Sequence, residues 1–147
     1  MGSRLIKTET VINAPAERVW AEMTDFASFP RWNPFVREAA GRLEPGEQLK
    51  IRLALDHGMK MTFRPRVTVV DPNRELRWLA TLGRPGVFDV DRAFQITPRD
   101  GGVLFVMSEE CTGWLTPVMF ATNLEAQLYR GYDAFNQALR KRVEETV

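Results

Sequence analysis

The chain contains few of the residues that usually carry reactive chemistry. Its 147 residues include one cysteine, Cys111, and one histidine, His57. A single cysteine excludes an internal disulfide and makes a reducing cytoplasm the expected compartment. One histidine without clustered cysteines or carboxylates predicts no metal site. The sequence also lacks a glycine-rich phosphate loop and a nucleophile motif, so no cofactor is expected.

Charge of either sign is not in excess, and long apolar runs are missing. Lysine and arginine total 20 against 19 aspartate and glutamate, for a formal net charge of +1. This balance gives no electrostatic reason to expect nucleic acid or an anionic membrane. No apolar run approaches the ~18 residues that cross a bilayer. The segment Met1–Ile6 lacks the apolar stretch of a secretory signal. We therefore expect one domain over residues 1–147, without membrane insertion.

Short-range patterns divide the chain into strands and helices. Residues 4–12 predict a strand, and Pro15 then suits the first turn of a short helix. A second short helical turn is predicted at residues 26–30. Between residues 35 and 113, apolar and polar residues alternate, and turn signals separate the alternating runs. This pattern predicts an antiparallel meander of six or seven strands.

The last part of the chain changes to helical spacing. After Gly113, apolar residues recur every three or four positions, and Thr116 and Pro117 suit the start of a helix. The predicted helix is about 30 residues, or ~45 Å, long. Gly131 in its middle costs roughly 1 kcal/mol relative to alanine and predicts a bend or close packing there. We therefore predict an α+β fold, with a curved sheet around a long C-terminal helix and an apolar cavity between them.

Hairpin turns predict which residues lie opposite each other. A turn at residues 100–101 places Arg92 opposite Glu109, between pairs of apolar residues. A turn at residues 84–85 places Trp78 beside Arg92. The predicted row across the inner face of the sheet is Val67, Trp78, Arg92 and Glu109.

Two charged residues on an apolar face require an explanation, because each buried ion loses several kcal/mol of hydration. One hypothesis is a salt bridge at the wet mouth of the barrel, without a ligand role. A second is a polar anchor, in which Arg92 binds a ligand oxygen and Glu109 orients it. The third is catalysis, in which Arg92 stabilises an enolate and Glu109 transfers a proton.

Aromatic residues and methionines supply candidate lining for the cavity, although each could instead belong to a solid core. Methionine suits an adaptable pocket because it fills irregular space. Cys111 is predicted to be a core thiol, and His57 an exposed turn residue. The predicted ligand-binding set is Trp32, Leu53, Met61, Phe63, Trp78, Phe88, Arg92, Phe94, Met107, Glu109, Phe120, Leu124 and Tyr132.

Five segments carry a resemblance to a known family: Asn13–Trp20, Phe29–Phe35, Phe63–Val67, Glu75–Trp78 and Gly131–Asn136. They resemble the START-related SRPBCC superfamily, in its bacterial polyketide cyclase/dehydratase-like branch. The resemblance covers nearly the whole chain and implies the helix-grip fold. Members of this superfamily bind lipids, hormones or polyketides, catalyse cyclisation, or assist other proteins.

The sequence departs from bacterial relatives at two positions. Such relatives often carry histidines on the sixth and seventh strands, where this chain has Arg92 and Met107. The roles of those histidines are therefore not transferred.

Three functions remain open at this point. The first is binding or carriage of a small hydrophobic molecule. The second is a polyketide cyclase/dehydratase-like activity that uses Arg92 and Glu109. The third is a protein-interaction module related to chaperone co-activators, with a docking surface formed by the basic stripe Lys60, Arg64, Arg66 and Arg77.

Overall fold

A computed structural model describes residues 3–55, 58–121 and 123–145, and these contain eight strands and four α-helices. In chain order the elements are β1 Arg4–Ile12, α1 Ala16–Thr24, α2 Phe29–Trp32, β2 Val36–Ala40, β3 Lys50–Ala54, β4 Lys60–Phe63, β5 Arg66–Asp71, β6 Glu75–Thr81, β7 Asp89–Arg99, β8 Gly102–Thr112, α3 Thr116–Met119 and α4 Leu124–Glu145. A 3-10 turn at Phe26–Ser28 precedes α2.

The strands form two antiparallel sheets. One has the order β1-β8-β7-β6-β5, and the other has the order β2-β3-β4. A bridge between Gln48 and Arg66 connects them. The predicted α+β helix-grip architecture, with a curved antiparallel sheet and a long C-terminal helix, is confirmed, although the strands number eight in the described residues.

The additional strand arises at Pro65. The alternation of Met61, Phe63, Val67 and Val69 reads as one continuous strand, but β4 ends at Phe63 and β5 begins at Arg66. Proline has no backbone N–H to donate to a ladder, so pairing is interrupted there. The two halves then pair in different sheets, β4 with β3 and β5 with β6. This break also divides the basic stripe, with Lys60 in one sheet and Arg66 and Arg77 in the other.

The predicted register of the large sheet is confirmed. Arg92 lies opposite Glu109, and Trp78 lies opposite Arg92. Val67 lies opposite Trp78, and β1 extends the row by placing Ile6 opposite Glu109.

The helices differ from the prediction at their ends. Pro15 is the N-cap of α1, in extended conformation, so the helix begins at Ala16. The predicted 30-residue C-terminal helix is two helices, since α3 ends at Met119 and the 22-residue α4 begins at Leu124. Thr116, expected as the cap, is the first residue of α3, and Pro117, expected as the first residue, is the second.

Helix α4 packs closely against the segment before β2. A Cβ atom added to Gly131 would lie 2.7 Å from Cζ of Phe35 and still nearer to two other atoms of that ring. The Phe35 ring in turn meets Tyr132 edge-on, with 5.1 Å between ring centroids. Gly131 therefore allows α4 to pack closely against Phe35, which is one of the two roles expected for this glycine.

A buried amide fixes the start of β2. The Asn33 side-chain Oδ1 accepts hydrogen bonds from the backbone N–H groups of Phe35, at 3.1 Å, and Val36, at 2.9 Å. We expect Asn33→Ala to lower the free energy of unfolding by about 1–3 kcal/mol, because it leaves two donors without this acceptor. Urea denaturation followed by circular dichroism measures the change. Asn13→Ala, the same substitution at an exposed residue, should cost less than about 0.5 kcal/mol. Equal losses in both variants would contradict the assignment.

Candidate functional site

The inner row of the sheet carries a buried polar cluster that we call the Arg92 triad, formed by Arg92, Glu109 and Tyr132. Their relative exposures are 3%, 4% and 1%. Arg92 Nη2 donates to Glu109 Oε1 at 3.0 Å and also to the Tyr132 hydroxyl oxygen. The Tyr132 hydroxyl donates to Glu109 Oε2. Such burial does not fit a salt bridge at a wet mouth.

Three elements position the triad. The β7–β8 ladder holds Arg92 directly opposite Glu109. Helix α4 supplies Tyr132, whose apolar neighbours Leu128 and Phe135 keep the same helical face buried. The Arg92 guanidinium carbon lies 4.3 Å from the centroid of the Tyr132 ring, so a cation–π contact adds to the hydrogen bonds.

The triad fixes the protonation of two of its members. Burial raises the pKa of the Tyr132 hydroxyl well above its usual value, the Arg92 charge lowers it, and Glu109 raises it again. Burial alone would lower the pKa of Arg92, but Tyr132 and Glu109 outweigh burial and raise it. At neutral pH, Tyr132 is therefore a neutral hydrogen-bond donor and Arg92 is a cation.

A cavity of about 240 Å³ lies beside the triad. Its wall is mainly apolar, and Glu109 is the triad member that lines it. The residues of its wall are Met61, Thr62, Phe63, Arg64, Ala80, Thr81, Leu82, Phe88, Val90, Glu109, Cys111, Met119, Leu124 and Leu128.

A second space of about 10 Å³ also borders the triad, and we call it the Arg92 recess. It shares part of its wall with the larger cavity, including Glu109. The residues of its wall are Ile51, Leu53, Phe63, Pro65, Trp78, Ala80, Val90, Arg92 and Glu109.

The structure distributes the predicted ligand-binding residues over three locations. The larger cavity is lined by Met61, Phe63, Phe88, Glu109 and Leu124. Leu53, Trp78 and Arg92 line only the recess. Neither wall contains Trp32, Phe94, Met107, Phe120 or Tyr132.

Packing explains why some predicted lining residues are absent from both walls. Phe94 packs against Trp78 and Phe105, with centroid distances of 5.1 and 6.3 Å. The Trp32 indole N–H donates to the Ser28 hydroxyl at 2.9 Å. The Phe94 ring thus fills space inside the core, and the Trp32 ring is held against the 3-10 turn that precedes α2.

Some cavity residues were absent from the predicted set although the sequence carried a signal for them. Ala80 lies two positions from Trp78 on the same strand, so alternation places both on one face. Leu128 belongs to the apolar stripe of α4. Thr62 and Arg64 gave no such signal, because alternation assigns them to the face opposite Met61 and Phe63, yet all four residues line the cavity.

The single thiol also lies in the cavity wall. Cys111 is buried, as predicted for a core residue, but it lines the larger cavity. Burial raises the pKa of the Cys111 thiol from 9.0 to about 12; Glu109 adds to the rise and Arg92 opposes it. The thiol is therefore protonated at neutral pH and is a poor nucleophile.

We expect alkylation of Cys111 by iodoacetamide to accelerate about tenfold per pH unit between pH 8 and 10.5, without levelling off. The reason is that the thiolate fraction keeps rising until the pH reaches the raised pKa of about 12. Mass spectrometry of timed samples measures the rate. The urea-unfolded chain is the control, and its rate should level off above about pH 9. A plateau at the same pH in the folded protein would contradict the raised pKa.

The described residues hold no group of three or more histidine, cysteine, aspartate or glutamate side chains suited to a metal ion. The predicted turn residue His57 lies outside the described residues. Among the described helices, none is both long and apolar enough to span a membrane.

Several solved structures share the fold of this chain. The Zhui aromatase/cyclase from a Streptomyces species is 20% identical, with a TM-score of 0.78 over 97% of this chain and 94% of that chain. A protein from Chromobacterium violaceum is also 20% identical, with a TM-score of 0.74 over 95% and 96% of the two chains. The di-domain ARO/CYC protein BexL is 15% identical, with a TM-score of 0.77 over 99% of this chain and 51% of its own. These likenesses show the fold.

A family match adds to the shared fold. Residues 4–144 match the family described as polyketide cyclase / dehydrase and lipid transport. No curated protein matches the sequence significantly. The predicted membership of an SRPBCC, polyketide cyclase-like branch is confirmed. Because the match spans nearly the whole sequence, the chain belongs to the polyketide cyclase / dehydrase and lipid transport family.

Proposed function

We propose that the protein binds a small hydrophobic molecule with one polar group in the cavity of about 240 Å³. The observation that carries the proposal is an apolar cavity with one buried carboxylate, Glu109, in its wall. Ligand sites typically combine an apolar lining with a few fixed polar groups.

The cavity volume sets the scale of the ligand. An engineered apolar cavity of roughly 150 Å³ in another protein binds benzene. The larger volume here suits a molecule of about two fused rings, or an acyl chain of similar size. The bulky residues around it, Phe63, Phe88 and Leu128, would contact such a ligand by dispersion and exclude water.

Glu109 retains acceptor capacity toward a ligand. A carboxylate has about four lone-pair sites. Arg92 and Tyr132 occupy one on each oxygen. A ligand hydroxyl or amide in the cavity could therefore donate to Glu109, whose position the triad fixes.

A ligand screen by thermal denaturation tests this proposal. Aromatic, acyl-chain and sterol-like compounds should include at least one class that raises the Tm, since a ligand at 100 times its Kd stabilises by about 2.7 kcal/mol. Leu128→Phe narrows the cavity and should reduce the shift. Leu79→Phe is the matched control, because Leu79 is 39% exposed and lies outside the cavity wall. The proposal fails if no class raises the Tm, or if both variants respond like the wild type.

A polyketide cyclase/dehydrase-like reaction is the second candidate, and the buried triad is the observation that favours it. Glu109 beside a bound ligand could accept a proton from it, while the nearby Arg92 cation stabilises the negative charge that this leaves on the ligand. Mass spectrometry of ligand recovered after incubation separates the candidates. Loss of water or ring closure that Glu109→Gln abolishes without loss of binding supports the enzyme. Recovery of unchanged ligand supports the carrier.

The protein-interaction hypothesis gains less support. Arg66 donates to the Gly46 carbonyl oxygen, and Arg77 pairs with Glu75 and Asp91. Two of the four stripe cations are thus engaged within the chain. This hypothesis stays a prediction, and loss of a bound partner after Lys60→Glu, at an exposed stripe residue outside the cavity wall, would support it.

A further inference from the structure

A buried nitrogen of the triad lacks a hydrogen bond within the part of the chain that the structure describes. Arg92 Nε is buried and lacks a partner among the described residues, although the neighbouring Nη2 donates to both Glu109 and Tyr132. A buried N–H on a charged group is costly to leave unpaired. The side chain that carries it belongs to a residue only 3% exposed, and it lines the Arg92 recess.

The size of the recess limits what it can contain. Its volume of about 10 Å³ corresponds to roughly one water-sized probe. Four residues, Phe63, Ala80, Val90 and Glu109, belong to the walls of both the recess and the larger cavity. The two spaces therefore adjoin, and Glu109 borders both of them.

We propose that the Arg92 recess is a subsite for a single acceptor oxygen, a carbonyl or hydroxyl, of a ligand whose apolar body fills the larger cavity. This inference rests on the proposed function, because it requires a ligand in that cavity. The oxygen accepts a hydrogen bond from Arg92 Nε. A hydroxyl at this position would also donate to Glu109, whereas a ketone or aldehyde would use Arg92 alone.

The same geometry predicts which ligands are rejected. A carboxylate carries two oxygens, which exceed a recess of one-oxygen size, and its charge would face that of Glu109. A hydrocarbon leaves Arg92 Nε unpaired. Sites built to hydrogen-bond an oxygen discriminate strongly against analogues that lack it.

Three probes with one apolar body test the inference: methyl naphthyl ketone, its hydrocarbon isostere isopropenylnaphthalene, and naphthoate. Isothermal titration should show that the ketone binds about tenfold more tightly than the hydrocarbon, and more tightly than naphthoate. The ketone is chosen because it cannot donate to Glu109. Its carbonyl stretching frequency should also shift below the value in hexane when the protein binds it, which requires no variant.

Matched variants test whether the recess causes the tighter binding of the ketone. Leu53→Phe narrows only the recess and should reduce the ketone-to-hydrocarbon ratio to near one, with hydrocarbon affinity nearly unchanged. Ile51 also lines only the recess, so Ile51→Phe replaces Leu53→Phe in this test if the latter does not fold. Leu128→Phe narrows only the larger cavity and should weaken both probes while preserving their ratio.

The possible failures are distinguishable. Binding of ketone and hydrocarbon with equal affinity, or tighter binding of naphthoate, overturns the subsite and leaves the proposed function intact. Failure of all three probes to bind overturns the proposed function for ligands of this size, and the subsite with it.

Discussion

Arg92→Met is expected to lower the free energy of unfolding by about 3–5 kcal/mol. The substitution leaves the Glu109 carboxylate, which is 4% exposed, without its cation. It also removes the donor to the Tyr132 hydroxyl oxygen. An uncompensated buried charge is far more costly than the loss of the pair as a whole.

The triple variant Arg92→Met, Glu109→Leu and Tyr132→Phe should therefore recover most of the loss. It removes both charges and the hydroxyl together, and apolar groups of similar volume replace them. Urea denaturation monitored by circular dichroism gives each free energy. Arg77→Met is the matched control, because the pair of Arg77 with Glu75 is partly exposed, at 38% and 26%, and should cost less than about 1 kcal/mol. A triple variant that is no more stable than Arg92→Met would show that the charges are not coupled.

Gly131→Ala is expected to lower the free energy of unfolding by about 1–3 kcal/mol. Alanine favours a helix interior by about 1 kcal/mol over glycine, so propensity alone predicts the opposite sign. The added Cβ would overlap the Phe35 ring, which is 2% exposed and packed against Tyr132. Movement of that ring disturbs the side chain that completes the triad.

A double-mutant cycle with Phe35→Leu isolates this contact. A smaller side chain at position 35 should make room for the added methyl group at position 131, so the two substitutions together should cost less than the sum of their separate costs. Gln137→Ala is a control on the same helix, where the residue is exposed and alanine should be neutral or slightly stabilising. If Gly131→Ala stabilises the protein as Gln137→Ala does, the overlap with Phe35 does not govern stability.

The register of the sheet could be predicted because it follows from short-range chemistry. Turn residues fix where each hairpin reverses, and alternation fixes which face each residue joins. These two rules place Arg92 opposite Glu109 without knowledge of the rest of the fold, and the ladder has this pairing.

The cavity could not be predicted to the same extent. Its wall combines residues of β4, β6, β7, β8, α3 and α4, and its volume depends on which side chains fill the space between them. Phe94 and Met107 form the next pair on the same inner face as Arg92 and Glu109, yet both are core residues outside the two walls. Alternation identifies the inner face but not the part of it that stays unfilled.

The sequence by itself determined the fold class, the inner row of the sheet and the presence of a charged pair within it. Only the tertiary structure decided that Tyr132 completes the pair, and that Glu109 lines the larger cavity while Arg92 lines the recess. The physical reason is the range of the interactions. Register depends on neighbouring strands joined by short turns, whereas Tyr132 lies 40 positions from Arg92 and reaches it only because α4 packs across the sheet.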